Sequence, residues 1–504
     1  MRAINGDHGV HTILRALERD PGRPVVHGRG GATTAGELLG SVLATAARLR
    51  ENRVGPGDTV AVLTEPNRPP MLSARYAVHL LGATCVHIRS GNPRTHADAA
   101  RLAVQAELLR ATRARVLLVD EHSARRAGWL AVRVPDTTVV GIGSGPVTRI
   151  PAPVPPAPGA VATVDFTHGS TGRPKLVRQL YTNRAELVGR LAAGLDPAGP
   201  ATLLSVTPVS HTTAPMADAV LARGGTLVLH DTFDADAVLD ATARFRVTDI
   251  YLGVPHLYRL LDHPRTAAAD FSALRRITYS GTPAAPARVA RAVEVFGDVL
   301  TQVYGTAEAG GISSLNPLDH REPALLGSAG RPFPWVRVEI RAPATGAPVE
   351  RGRTGEVWVK SPTVAAGYLG DPASAEAGFR DGWLRTGDLG RWDRYGYLRL
   401  TGRTGGVIKR GGLKLDPATI ERVLLRHPEV RQAAVYAVRD RDYVEWVHAA
   451  VELHGAAGRA LCDLREYVAA SLTPEYAPDR ITVWPQLPLT AAGKIDLSRL
   501  RAAG

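Results

Sequence analysis

Apolar residues at positions 38, 39, 42, 43, 46 and 49 fall on one face of a helix, directly after Thr34-Ala35-Gly36-Glu37. That tetrad is a capping box, whose hydroxyl and carboxylate satisfy backbone donors at a helix start. Gly55-Pro56-Gly57-Asp58 then breaks the pattern with a turn. Residues 59–63 follow as a short apolar run, the pattern of a buried strand. The alternation continues with a helix at 71–81, a strand at 84–88, a helix at 97–111 and strands at 115–120 and 137–140. A β-rich run at 160–166 precedes a helix-like run carrying Asn183, Leu187 and Leu191. Strands at 203–206, 226–229, 277–280 and 299–303 come next, with helices between them. Strands alternating with helices predict parallel α/β layers.

From residue 336 the pattern turns to β, at 336–340, 356–359 and a hairpin at 391–400. A basic, glycine-rich stretch at 402–412 precedes a smaller unit. There Asp416-Pro417 predicts an N-cap followed by proline at the first helical position. Strands at 432–438 and 447–451 and a helix near 461–472 complete it. The expected fold is α/β: a large multi-layer α/β N-terminal domain over 1–402, then a small α+β C-terminal domain over 403–504.

Composition narrows the classes. A chain of 504 residues exceeds one ordinary core, so more than one domain is expected. Hydrophobic residues at 44% and charged residues at 22% give a globular balance. No run of 18 apolar residues occurs, so no membrane partner is expected. The first residues lack an apolar signal region, and Cys85 and Cys462 stand too far apart for a disulfide framework or zinc spacing. A cytoplasmic location is expected. The formal net charge is +13, yet the arginines are scattered without a basic block, so no nucleic-acid partner is expected. A basic field suits small anions or an acidic protein partner. The prolines of 151–158 make a stiff connector. Gly141-Ile142-Gly143-Ser144-Gly145 lacks the third glycine of a dinucleotide loop.

The densest chemistry lies in Asp165-Phe166-Thr167-His168-Gly169-Ser170-Thr171-Gly172-Arg173-Pro174-Lys175-Leu176-Val177. Glycines let backbone N–H groups approach a ligand, and hydroxyls and a lysine add donors, so the stretch suits a polyanion. It is not the NTPase P-loop, because Pro174 precedes the lysine and Leu176 follows it. Tyr304-Gly305-Thr306-Ala307-Glu308 places an aromatic ring that can stack on a base just past a strand. Its carboxylate suits a hard cation. Thr386-Gly387-Asp388 offers one carboxylate to two hydroxyls.

These stretches, in this order, resemble the adenylate-forming superfamily of acyl-CoA synthetases, luciferases and nonribosomal adenylation domains. The phosphate stretch is similar to the signature Thr-Ser-Gly-Ser-Thr-Gly-x-Pro-Lys-Gly, with His168 and Leu176 departing. Tyr279-Ser280-Gly281-Thr282-Pro283 resembles the adenine-contacting turn, and Tyr304 to Glu308 the pattern Tyr-Gly-x-Thr-Glu, with Ala307 departing. The run from Gly402 to Gly412 resembles Gly-Arg-x-Asp-Asp-x-Ile-Lys-x-x-Gly, and Pro488 to Lys494 the terminal Pro-x-Thr-x-x-Gly-Lys.

The resemblance implies a mobile C-terminal domain, with a hinge at Gly405. It implies an ATP site of Thr167, Gly169, Ser170, Thr171, Gly172, Lys175, Ser280, Gly281, Thr282, Tyr304, Gly305, Thr306, Asp388 and Arg403. Glu308 would hold Mg2+. Lys494 would act in adenylate formation and Lys409 in the thioester-forming state. Pro208-Val209-Ser210-His211 matches the acid-pocket segment, where His211 is a catalytic-site residue or a plain core histidine. With no acidic anchor there, an aryl or acyl acid is expected rather than an α-amino acid. The implied reaction joins a small-molecule carboxylic acid to ATP, then to a thiol of CoA or a phosphopantetheinyl carrier protein. The alternatives are transfer to an amine, activation of an unusual small acid, or nucleotide binding without catalysis.

Overall fold

The fold was described from a computed structural model. It covers residues 9–88, 99–145, 152–168, 174–210, 212–404, 406, 408–410, 413–439, 445–454, 460–490 and 493–503. The capping box is in place: Glu37 N donates to Thr34 Oγ1 and Thr34 N to Glu37 Oε2, and helix Ala35–Glu51 starts there. The turn at 55–58 delivers strand Thr59–Leu63, buried from Val60 onward.

Two sheets dominate. One runs Thr138–Gly141, Val116–Val119, Thr59–Leu63, Thr84–His87, Val161–His168 and Pro174–Leu180; all pairs are parallel except the last. The other has nine strands. Its parallel centre is Leu300–Thr306, Arg276–Ser280, Asp249–Gly253, Thr202–Ser205, Thr226–Leu229 and Pro24–Gly28, with antiparallel strands at both edges. Parallel strands need cover on both faces. One core joins Val60, Val62 and Val116 of the first sheet to Leu203, Leu227 and Leu229 of the second. It runs through helices Gly9–Glu18, Ala35–Glu51 and Pro69–Leu80. Outer cores cover the far faces. The result is five layers: helix, sheet, helix, sheet, helix.

Two sequence expectations change. Strand Asp249–Gly253, absent from the sequence reading, fills the middle of the second sheet. The phosphate stretch does not pass directly from strand to helix. It joins a β-hairpin, Val161–His168 with Pro174–Leu180, and helix Tyr181–Ala193 starts only afterwards. Lys175 therefore sits on a strand, opposite Thr167.

A five-stranded antiparallel sheet follows: Arg337–Arg341, Gly355–Lys360, Phe379–Arg380, Trp383–Trp392 and Leu398–Arg403. The C-terminal unit packs three strands, Val430–Arg439, Glu445–Leu453 and Arg480–Val483, against helices Pro417–Leu424 and Ala460–Ser471. Asp416 caps the first of these through Ala418 N and Thr419 N, with Pro417 next, as expected. Among the described residues no helix is long and apolar enough to cross a membrane.

Candidate active site

Ligands in open α/β sheets gather at the carboxyl ends of the strands, and several of the described candidate residues lie there. Strand Arg276–Ser280 ends at Ser280, whose hydroxyl pairs with Tyr251 Oη at 2.5 Å. Gly281 follows at φ +103°, a backbone that side chains rarely adopt. The aliphatic stem of Lys494 lies over it: a Cβ at Gly281 would stand 3.4 Å from Lys494 Cγ. Thr282 continues the loop.

Tyr304 lies within strand Leu300–Thr306 rather than just past a strand, because pairing with Gly310–Leu315 extends the ladder. Gly305 is required in that ladder, since a Cβ would stand 2.3 Å from Gly310 O. Tyr304 Oη donates to Asp388 Oδ2 at 2.7 Å, while Arg403 Nε reaches Asp388 Oδ1 at 2.8 Å. Burial lifts the Asp388 carboxyl above its ordinary value, and Arg403, Tyr304 and the Lys494 ammonium oppose that rise. Each carboxylate oxygen has a second lone pair, so Asp388 can still accept two hydroxyls. Thr306 Oγ1 accepts from Ala309 N at 3.1 Å, which leaves its proton to donate.

Sequence reasoning missed the bridge between the phosphate strand and the cation residue. Tyr368 Oη donates to Glu308 Oε1 at 2.9 Å, and Lys175 Nζ sits 4.8 Å from the centre of the Tyr368 ring. Glu308 thus keeps one carboxylate oxygen beyond Tyr368. A single carboxylate shared with phosphates is a usual magnesium arrangement, so the residue fits the expected ion. Gln179 Nε2 also donates to Ala307 O at 2.9 Å, tying that same strand to the Glu308 turn. The Gly367-Tyr368 pair carries no signal of its own in the sequence; only the structure shows the glycine at φ +108° before the ring.

The wall from the small unit rests on two glycines. A Cβ at Gly253 would stand 2.8 Å from Gly493 O, and one at Gly493 would stand 2.8 Å from Cε1 of His256. The turn itself is closed by Thr490 N to Lys494 O at 2.7 Å and Gly493 N to Thr490 O at 2.9 Å. Further out, Arg431 Nε meets Asp262 Oδ2 at 2.9 Å, although Asp262 also holds Arg288 at 2.7 Å and Arg291 at 3.2 Å. Arg431 keeps Glu452 of its own unit at 4.0 Å. With its amide oriented to satisfy both groups, Gln486 accepts from Arg259 at 2.7 Å.

The segment expected to border the acid is clamped from beneath. Asn67 Oδ1 accepts from Val209 N at 2.9 Å, and Arg75 donates to Val209 O at 2.5 Å. Arg75 is fully buried and pairs with Asp218 at 2.7 Å; Tyr76 Oη and Arg184 bind the same carboxylate. Burial pushes Asp218 up, but the two guanidinium groups outweigh it and hold the carboxyl at about 2. His211 itself, Gly169, Ser170, Thr171, Gly172 and Gly405 lie outside the described residues, as do the side chains of Thr167 and Lys409.

Residues 13–369 match the family model described as AMP-binding enzyme, and residues 419–494 match the AMP-binding enzyme C-terminal domain. The chain belongs to the AMP-binding enzyme family. This AMP-binding enzyme is 31% identical over 520 residues to a medium/long-chain fatty-acid–CoA ligase of Mycobacterium tuberculosis, covering 98% of this chain and 90% of the relative. It is 32% identical over 513 residues to a feruloyl-CoA synthase of an Amycolatopsis species, covering 98% of each. Among solved structures, an amide bond synthetase from Marinactinospora thermotolerans superposes with a TM-score of 0.84 at 35% identity, covering 98% of this chain and 99% of that one. The family and the fold class expected from the motifs are both borne out.

Proposed function

We propose that this enzyme activates a carboxylic acid with ATP and passes the acyl group to a nucleophile. A carboxylate oxygen bonds to the α-phosphorus, the bond to the β-phosphate oxygen breaks, and pyrophosphate leaves behind an acyl adenylate. The observation that carries this reading is the seat of Lys494. Its stem lies on Gly281, and its charge is felt at Asp388, so one cation faces both halves of the proposed nucleotide site. Such a reaction depends on positioning and on neutralising phosphate charge. Lys494 neutralises the α-phosphate as charge builds there. The loop of Gly169, Ser170, Thr171 and Gly172, with Lys175, binds the outer phosphates. Ser280 and Thr282 border the adenine, Asp388 accepts the ribose hydroxyls, and Glu308 holds magnesium.

The acceptor is a thiol, of CoA or of a phosphopantetheinyl carrier protein. CoA ligases among the full-length relatives support this reading. Residues 403–504 then act as the lid, pivoting at Gly405 and presenting Lys409 for the second step. The segment ending at His211 borders the acid, an aryl or acyl acid without an α-ammonium. One observation favours an amine acceptor instead: 35% identity to an amide bond synthetase along almost all of both chains.

A screen of carboxylic acids for pyrophosphate release tests the reading, run with no acceptor, with CoA and with an amine. Acid-dependent release, raised by one acceptor, is expected. Release independent of any acid would overturn it.

A further inference from the structure

Residues 365–369 run antiparallel beside strand Pro174–Leu180 and meet it at the Val177–Tyr368 bridge. Leu369 N donates to Leu176 O at 2.7 Å, Arg178 N to Gly367 O at 2.9 Å and Ala366 N to Arg178 O at 2.9 Å. At the other end of the segment, Ala365 N donates to Glu308 O at 2.7 Å. The segment thus ties the strand that carries Lys175 to the turn that carries Glu308. It does so through its backbone, whatever its side chains are.

The Tyr368 side chain then meets both charged groups. Its hydroxyl donates to Glu308 Oε1 at 2.9 Å, and the Lys175 ammonium lies 4.8 Å from its ring centre. The residue is only 8% exposed, and Phe379 meets the ring edge-on with centres 5.5 Å apart, so its plane is fixed. Lys175 also lies within the field of Asp371, but that carboxylate is engaged in accepting from Ser374 N at 2.9 Å.

An ammonium and a carboxylate held around one ring attract each other. A direct pair would spend the lysine on the carboxylate and leave neither for a ligand. A ring face holds a cation without supplying a counter-charge, and a phenol donor takes up one lone pair of the carboxylate. We infer that Tyr368 is a positioning residue that spaces Lys175 from Glu308, keeping the lysine for the outer phosphates and the free carboxylate oxygen for magnesium. The inference rests on the ATP-site reading above and adds a side chain that touches neither ligand. Its two contacts serve different ligands. Magnesium demands near-ideal octahedral geometry, whereas calcium accepts flexible geometry, so aiming the carboxylate matters far more for magnesium. The ring face acts on the phosphates with either metal.

The test separates hydroxyl from ring. ATP is titrated calorimetrically into the full chain with no acid present, once with saturating Mg2+ and once with saturating Ca2+. Tyr368→Phe keeps the ring. Its ATP affinity should fall at least fivefold with Mg2+ and stay within twofold of wild type with Ca2+. Tyr368→Leu loses both contacts, and its affinity should fall at least fivefold with either metal. A dissociation constant reports only the folded fraction, which the stoichiometry counts. Equal losses with both metals in Tyr368→Phe, or none, would overturn the spacer, as would wild-type affinity with Ca2+ in Tyr368→Leu. Lys175→Ala tests the reading beneath it. No loss of ATP affinity in that variant, or no ATP binding by wild type, would remove the phosphate site and this inference with it.

Discussion

The two walls of the site are held in opposite ways. Beneath the expected acid segment, Asn67, Arg75, Asp218 and Arg184 form a buried clamp built on paired charges. Across the nucleotide site, Lys494 is exposed and reaches its place through the close approach of Gly253 and Gly493. The first wall is costly to disturb because a removed partner strands a buried charge. The second presents its cation on an exposed side chain. A site that needs one fixed reference and one removable cation can be built in just this way.

The sharpest way to break the contrast is Asp218→Ala. It leaves buried Arg75 without its counter-charge, and unfolding in urea should show a loss of about 3–5 kcal/mol. Lys494→Ala should do the reverse. Stability should be nearly unchanged, while adenylate formation falls about 10²–10³-fold, roughly 3–4 kcal/mol. Supplied acyl adenylate should still react with the acceptor, as measured by single-turnover product formation. Equal loss in both half-reactions would end the division of labour between the walls.

Gly253→Ala tests the removable wall without touching the cation. Its Cβ would press on Gly493 O, so the lysine turn must retreat. Adenylate formation should fall about tenfold, or about 1.4 kcal/mol, with less effect on the second step.

The smallest effect separates a buried carboxyl from a partly exposed one by pH. Asp218 is held at about 2, below its ordinary 3.8, so its contribution is present above that value and is lost as pH falls toward 2. Glu421 of the small unit, though it accepts from Val435 N at 2.8 Å, is lifted by burial from 4.5 to about 7. Its contribution is full below 4.5 and declines as pH rises toward 7. Glu421→Gln should flatten that decline by roughly 1 kcal/mol, since its side chain is partly exposed. Thermal melts between pH 4.5 and 7.5 read it.

Much of this was legible in the chain. The capping box, the Asp416-Pro417 start and the continuous apolar strands state their own geometry. Lys494, Asp388 and Glu308 stood in motifs whose order carried them. The rest was hidden for physical reasons. Pro174 and Lys175 read as loop, because pairing with a preceding strand leaves little local signal. Asp249–Gly253 opens with a charge that is satisfied only by its neighbours. Arg75 in a helix reads as a solvated side chain, and its partner lies 143 positions away.

Asp262 has a consequence for turnover. It is shared by Arg288 and Arg291 on its own side and by Arg431 from the small unit, and Arg431 has Glu452 close by. If residues 403–504 move as proposed, each ion keeps a home counter-charge. The contact behaves as a press-stud rather than a weld. It registers the closed position, yet its release exposes no unpaired ion and adds little to the barrier for product escape. Added salt should therefore leave the opening rate almost unchanged.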